Sequence, residues 1–463
     1  MVKSRPSVAA EPLPLSAALP WLALALLVFG AALHKVWPFT IDDAFISARY
    51  ARNLADGYGL VFNPGALPSE GYSNLTLVLL TALGVRLGVE AITAAKLIAA
   101  VSGFACLLLA TFAGRLLLPR HYPLAVLLAA TAFPLILWSS AGLETSLMAL
   151  LTATWLYLGL LLVLRMEQRT QWPLAAVTVL AALTRPEGLL LLPALALVNC
   201  RARRAVRISW WPLAAAVAAL ALHEVWRVSY FGLWLPLPFY AKVELGSAVA
   251  KLSGVYYLHT FLWSFGAGLA GYLALLHAWL RRDAAGVEAG GYVALLALLP
   301  FLAFVVLVGA DWMPQYRFLV PAIVPLSLLL VGLLLSLRDA WAQTAPRLAA
   351  TLFACGLAVL FLGNAAAAWR AFATDEWHST KMERLDVHRG ASEALRAQGE
   401  WLREHGGSRL TVAALDIGAP AYYSDAHLID MHGLTNPDLA GKSSEAVADY
   451  VLQRHPDFIQ VYG

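Results

Sequence analysis

Up to about residue 369 the chain is a series of long apolar runs separated by short polar breaks, and beyond it short alternating segments take over. About 20 apolar residues are needed to cross a hydrocarbon core of roughly 30 Å. On that measure the pattern predicts transmembrane helices near 15–35, 92–114, 123–141, 145–164, 209–228, 256–280, 290–309, 318–337 and 348–369. A broken pair of shorter apolar arms near 172–200 brings the expected number to about 11. Residues 74–90 are too short to span and carry Arg86 and Glu90, so they predict a helix at the outer interface. In the tail, 409–415, 427–431 and 458–461 read as strands, Ser444–Arg454 as a helix, and 375–405 as a polar amphipathic helical connector. The expected fold class is therefore an α-helical polytopic membrane protein, with a transmembrane domain over 1–369 and a small C-terminal α/β extracytoplasmic domain over 370–463.

Composition narrows the class. Of 463 residues, 60% are apolar and 13% charged, where a soluble chain carries about a quarter charged residues. No basic cluster lies in a long polar segment, which excludes nucleic-acid binding. Cys106, Cys200 and Cys355 offer neither a disulfide framework nor a zinc spacing. The net charge of +4 matters less than where the cations sit. Lys3 and Arg5, Arg115 and Arg120, Arg165 and Arg169, the Arg201–Arg207 cluster, Arg281 and Arg282, and Arg338 all flank apolar runs. Placed on the cytoplasmic side by the positive-inside rule, they put the N-terminus in the cytoplasm. Loops 36–73, 229–255 and 310–317 and the C-terminal domain then lie outside a plasma membrane. The first apolar run is too long for a cleaved signal peptide and lacks a small-residue cleavage site.

What charge remains is concentrated. The first outward loop opens with Asp42 and Asp43 at the start of a predicted helix that also carries Arg49 and Arg52. Acids at a helix N-terminus are stabilised by its dipole, yet one acid suffices for that. A carboxylate here can act as general base toward an acceptor hydroxyl, and the arginines can offset the charge of a phosphate. Glycine-rich and Asn-Pro-Gly turns over 57–65 order the rest of the loop and place Glu70 and Tyr72 above the membrane. The broken pair turns at Thr184-Arg185-Pro186-Glu187-Gly188. Charge at such a turn needs a partner or a wet cavity: Arg185 and Glu187 either pair with each other or form a charged wall for an anion. Lys242 follows a Pro-rich outward loop, and Asp311 and Arg317 crowd a short loop with Trp312 and Tyr316. The GxGxxG match at Gly266–Gly271 lies in an apolar run and not after a strand, so it predicts close helix packing rather than dinucleotide binding. Asp425, His427, Asp430 and His432 read as solvated turns rather than a metal site.

These motifs, in order, are DDAFISARYARNL (42–54), GYGLVFNPG (57–65), EGYSN (70–74), TRPEG (184–188), FYAK (239–242) and DWMPQYRFLVP (311–321). The series resembles the GT-C superfamily of polyprenyl-phosphate-sugar-dependent glycosyltransferases, and more narrowly the branch of terminal β-(1→2) arabinofuranosyltransferases. The resemblance implies an inverting enzyme that moves a sugar from a polyprenyl-phosphate donor to a cell-envelope glycan, lipid or protein acceptor on the outer membrane face. It implies Asp42 or Asp43 as catalytic base. Arg49, Arg52, Arg185, Lys242 and Arg317 would bind the donor phosphate and sugar, and Glu70, Tyr72, Glu187 and Asp311 would contact sugar or acceptor. No metal ligands are assigned; the paired aspartates leave room for a divalent cation without requiring one. The competing expectation is a secondary transporter whose path is lined by Arg185 and Glu187.

Overall fold

The computed structural model of the chain describes residues 13–203, 206–242, 248–265, 289–372 and 384–460. Helix α1 spans Leu15–Val36, and the first loop contains α2 (Asp42–Ala55) and α3 (Leu75–Arg86). Then follow α4 (Ala91–Leu117), α5 (Tyr122–Ala130), α6 (Phe133–Trp138) and α7 (Thr145–Leu164). The broken pair is α8 (Gln171–Thr184) and α9 (Leu191–Ala202), joined by a 3-10 turn over Pro186–Leu190. After α10 (Trp211–Phe231), α11 (Leu237–Lys242) and α12 (Ala248–Ser264) come α13 (Ala289–Val308) and α14 (Ile323–Trp341). The last long apolar helix is α15 (Pro346–Phe372).

Among the described residues, six helices are long and apolar enough to cross a membrane: 16–36, 91–117, 145–164, 289–308, 317–341 and 346–372. The fold is that of a multi-pass membrane protein. Several predicted spans differ in detail for local reasons. The run 123–141 is broken, because Pro134 opens α6 and proline cannot continue the preceding helix without clashing one turn back. The span expected over 209–228 forms as the 21-residue α10, but its last turns carry His223, Glu224 and Arg227. The 256–280 run lies only partly within the described residues, and the Gly266–Gly271 motif lies outside them. Segment 74–90 is the expected short helix.

The tail begins with α16 (Leu385–Glu404), followed by a three-stranded parallel sheet in the order β2–β1–β3. Its strands are β1 (Thr411–Ala414), β2 (His427–Asp430) and β3 (Phe458–Ile459), with Thr411 opposite His427 and Val412 opposite Phe458. Helix α17 (Gly418–Ser424) crosses from β1 to β2 and α18 (Ser444–Gln453) precedes β3. This domain packs directly on the first loop. Tyr50, Phe62 and Tyr72 share one apolar core with Val412, Ile417, Leu428 and Leu434. The transmembrane core is continuous around α4, α5 and α7, with Trp138 and Trp155 fully buried.

Candidate active site

Helix α2 positions two sets of side chains, since residues at i, i+3, i+4 and i+7 share a face. One face carries Asp42, Phe45, Arg49 and Arg52 and meets the C-terminal domain. The other carries Asp43, Ile46 and Ser47, which line a cavity, and Tyr50, which packs on Phe62 and Tyr72. The two adjacent aspartates therefore have different surroundings.

Asp42 receives the N-terminus of α17: Gly418 N donates to its Oδ2 (3.0 Å) and Ala419 N to its Oδ1 (2.7 Å). The approach is so close that a Cβ on Gly418 would lie 2.1 Å from the Asp42 carbonyl oxygen and 2.6 Å from Oδ2, so only glycine fits. Burial raises the Asp42 carboxyl to about 7, against the opposing pull of the two backbone N–H groups. Arg49 is buried and donates to the carbonyls of Phe62, Ala421 and Ala426 and to Asn63 Oδ1. Asn63 in turn pairs with both the N–H and the carbonyl of Leu428 in β2. Arg52 forms an ion pair with Asp425 (2.5 Å) and bonds the Tyr422 carbonyl (3.3 Å). The structure thus places Arg49 and Arg52 on the docked face and away from the cavity where the other charged groups meet. Their guanidinium donors hold the C-terminal domain.

On the other face is a cavity of about 160 Å³, lined among others by Asp43, Ser47, Tyr72, Asn74, Glu144, Arg185, Glu187, Arg317 and Phe318. Leu434 of the C-terminal domain forms part of its wall. Arg185 is clamped between two carboxylates, bonding Glu144 Oε1 at 2.5 Å through Nη1 and Glu187 Oε1 through Nε. Asn74 extends the network, donating to Glu144 Oε2 (2.6 Å) and to the Ser47 hydroxyl (3.0 Å). All three charged groups are buried, at 4% exposure for Glu144, 6% for Arg185 and 1% for Glu187. Charges so removed from water persist only when paired with good geometry. The hairpin tip is fixed by Gly188, whose added Cβ would lie 2.3 Å from the Ala181 carbonyl. Arg317 reaches the cavity from the opposite side, oriented by Asp311 (Nε to Oδ2, 2.7 Å). The ring of Phe318 contacts both cations, 5.1 Å from Arg185 and 5.0 Å from Arg317. The loop bearing Arg317 holds Gln315 and Tyr316 at positive φ (55° and 52°), and the Trp138 indole donates to the Gln315 carbonyl (3.2 Å).

Beside the cavity lies an apolar groove of about 610 Å³ between α8, α10, α13 and the 234–239 loop. Ser73, Pro186, Glu187, Phe239, Phe304 and Val308 line both. Glu70 sits at the groove, paired with the buried Arg227 (2.6 Å), while its carbonyl accepts from Leu237 N (3.0 Å). Burial raises the Glu70 carboxyl to about 7 despite that pair. Glu70 thus laces the first loop to the loop after α10.

Of the residues singled out from the sequence, Asp43, Tyr72, Arg185, Glu187 and Arg317 meet in the cavity, and Asp311 supports Arg317 from behind. Asp42, Arg49, Arg52 and Glu70 lie elsewhere. Lys242 ends α11, and its side chain lies outside the described residues. Three participants went unnoticed in the sequence: Glu144, Asn74 and Arg227. Glu144 had a signal, an acid in the three-residue outer gap between two predicted spans. Arg227 had one too, a cation at the outward end of a span, where the positive-inside rule does not place it. Among the described residues no group of three His, Cys, Asp or Glu could hold a metal ion. Asp42 and Asp43 form no such pair because they point to different faces. Asp430 is buried and takes up the His432 and Thr435 backbone N–H groups.

The family model described as a domain of unknown function (DUF8728) matches residues 384–463. No curated protein matches the sequence. Among solved structures, ArnT from Cupriavidus metallidurans bound to undecaprenyl phosphate is similar at 13% identity and a TM-score of 0.56, covering 96% of this chain and 90% of that one. The Archaeoglobus fulgidus oligosaccharyltransferase tethered to an acceptor peptide is similar at 12% identity and a TM-score of 0.53, covering 94% and 68%. The archaeal oligosaccharyltransferase AglB from the same organism, in complex with an inhibitory peptide and a dolichol-phosphate, gives 13% identity and a TM-score of 0.51. The likeness runs over nearly the whole chain, and it shows that this protein has the GT-C fold: a polytopic helical membrane domain with a small C-terminal α/β domain.

Proposed function

We propose that the chain is an inverting glycosyltransferase that takes a sugar from a polyprenyl-phosphate donor and attaches it to a cell-envelope acceptor on the outer face of the plasma membrane. The observation that carries this reading is a single constellation: a carboxylate (Asp43) and two guanidiniums (Arg185, Arg317) around a small cavity that shares a wall with an apolar groove. A lipid-phosphate sugar needs that combination, with the prenyl chain in the groove and the phosphate and sugar in the cavity. In the structures similar to this one, ArnT holds undecaprenyl phosphate and AglB a dolichol-phosphate, which is the ligand chemistry this reading assigns here.

In the proposed reaction, Asp43 accepts the proton of the acceptor hydroxyl as its oxygen bonds to the anomeric carbon. The bond from that carbon to the phosphate oxygen breaks, and the electron pair leaves with the phosphate. Arg185 and Arg317 offset the charge that develops, which a preorganised cation does without reorganisation. Asp43 takes the base role because it lines the cavity, whereas Asp42 meets the α17 N-terminus outside it. The arabinofuranosyl donor implied by the motif series is the first to try, with mannosyl and hexosaminyl donors beside it.

The test uses the purified full-length chain in proteoliposomes with radiolabelled polyprenyl-phosphoryl sugars, alongside mass spectrometry of envelope glycans from a deletion strain. Expected are labelled acceptor, free polyprenyl phosphate and one missing sugar in the envelope. No transfer from any donor, together with an unchanged envelope, contradicts the proposal.

A further inference from the structure

Most polar groups around the cavity are bonded to one another, but two are not. Among the described residues that line it, Tyr72 Oη and Glu187 Oε2 are buried side-chain atoms with no hydrogen-bond partner. Tyr72 is 3% exposed and Glu187 1%. Buried polar atoms without partners are rare, because removal from water goes uncompensated. Both side chains are also held rigidly. The Tyr72 ring packs edge-on against Tyr50 (centroids 4.9 Å apart) and against Phe231 (6.5 Å). The other oxygen of Glu187 accepts from Arg185 Nε. Burial keeps the Tyr72 hydroxyl protonated, well above the usual tyrosine range. The pair therefore offers one fixed hydroxyl and one fixed carboxylate oxygen to whatever enters.

The size of the cavity limits the guest. A cavity near 150 Å³ accommodates a ring the size of benzene, so about 160 Å³ matches one sugar ring at a time. The carboxylate of Glu187 also disfavours an anionic sugar. We infer that Tyr72 and Glu187 form the hydroxyl-reading wall of a subsite for a single neutral or cationic monosaccharide, whose ring hydroxyls satisfy both atoms. This inference rests on the donor reading above and narrows it: the transferred group is one sugar and not an oligosaccharide.

Sites built to hydrogen-bond a hydroxyl reject analogues that lack it far more strongly than apolar pockets reject a lost methylene. The experiment uses the full-length chain in proteoliposomes with three donor sets: polyprenyl-phosphoryl arabinofuranose and mannose, their monodeoxy analogues, and a disaccharide donor. For the sugar that is transferred, at least one monodeoxy donor is expected to lose about 100-fold or more in kcat/KM. Tyr72→Phe or Glu187→Gln should abolish most of that discrimination. Tyr72→Phe should melt no lower than the parent, since it removes only an unpaired hydroxyl. Equal use of parent and deoxy donors, or a disaccharide transferred as fast as the monosaccharide, overturns the inference. If no donor is transferred, the functional reading fails, and the subsite is judged by donor-induced thermal shifts. Parent donors shifting the wild type more than deoxy donors, with the gap lost in Tyr72→Phe, supports it, and equal shifts overturn it.

Discussion

The two faces of α2 begin with neighbouring aspartates and meet different parts of the molecule. On the docked face, Asp42, Arg49 and Arg52 end on backbone N–H and carbonyl groups of the C-terminal domain and on Asp425. On the cavity face, Asp43 and Ser47 line the cavity together with Asn74, Glu144, Arg185 and Glu187, and Ser47 is hydrogen-bonded to Asn74. The first set fastens a neighbouring domain, and the second lines a cavity. A motif of two adjacent acids and two arginines thus divides by helical periodicity into a fastening part, with both arginines, and Asp43 at the cavity. The domain of unknown function is the counterpart of the fastening part, and through Leu434 it also reaches the cavity.

The largest effect that would break this comparison is expected at Arg185. Replacing it with alanine leaves Glu144 and Glu187 buried without their shared partner, which costs about 3–5 kcal/mol for a buried pair. It also removes a cation from the leaving group, so transfer should fall by roughly 10²–10³-fold. Steady-state kinetics and melting of the detergent-solubilised variant read both. Arg49→Ala should act on the fastening part alone. Losing a buried charged donor with several acceptors costs about 1.5–3 kcal/mol, seen as a lower melting temperature and faster proteolysis near 405–410, while kcat at low temperature stays near wild type. Gly418→Ala should be milder, about 1–3 kcal/mol, because a methyl must be forced against Asp42.

The comparison also predicts a pH dependence of stability. Burial raises the folded-state pKa of Asp42 to about 7, from 3.8. A group that holds its proton more tightly when folded contributes stability in full below the unfolded value, and that contribution is lost as pH rises through the folded one. Melting temperature should therefore decline between about pH 4 and 7. Asp42→Asn should flatten the decline, leaving the part due to Glu70, which is raised to about 7 as well.

Much of this architecture was legible in the sequence, because membrane spans and strands announce themselves by period and length. The strands at 411–414, 427–430 and 458–459 fall inside their predicted segments, and the broken hairpin turns where Arg-Pro-Glu-Gly interrupts its apolar run. The break at Pro134 was present in the sequence but hidden by continuous hydrophobicity on both sides. The site was legible in its ingredients and not in its grouping. Nothing local distinguishes Asp42 from Asp43, or Arg49 from Arg317. Their roles depend on where the chain brings α17, more than 370 residues on, against α2. Glu144 was overlooked for the same reason, since its partner Arg185 is 41 residues away.

The most direct test of this division is a side-by-side comparison of Asp42→Asn and Asp43→Asn in the same transfer assay, each with its melting curve. Asp43→Asn is expected to lose roughly 10²–10⁴-fold in kcat, the range for a general base, with an unchanged melting temperature. Asp42→Asn should retain most of its kcat while its melting temperature and pH profile shift. The reverse pattern, with transfer abolished by Asp42→Asn and preserved in Asp43→Asn, would contradict the assignment of chemistry to the cavity face.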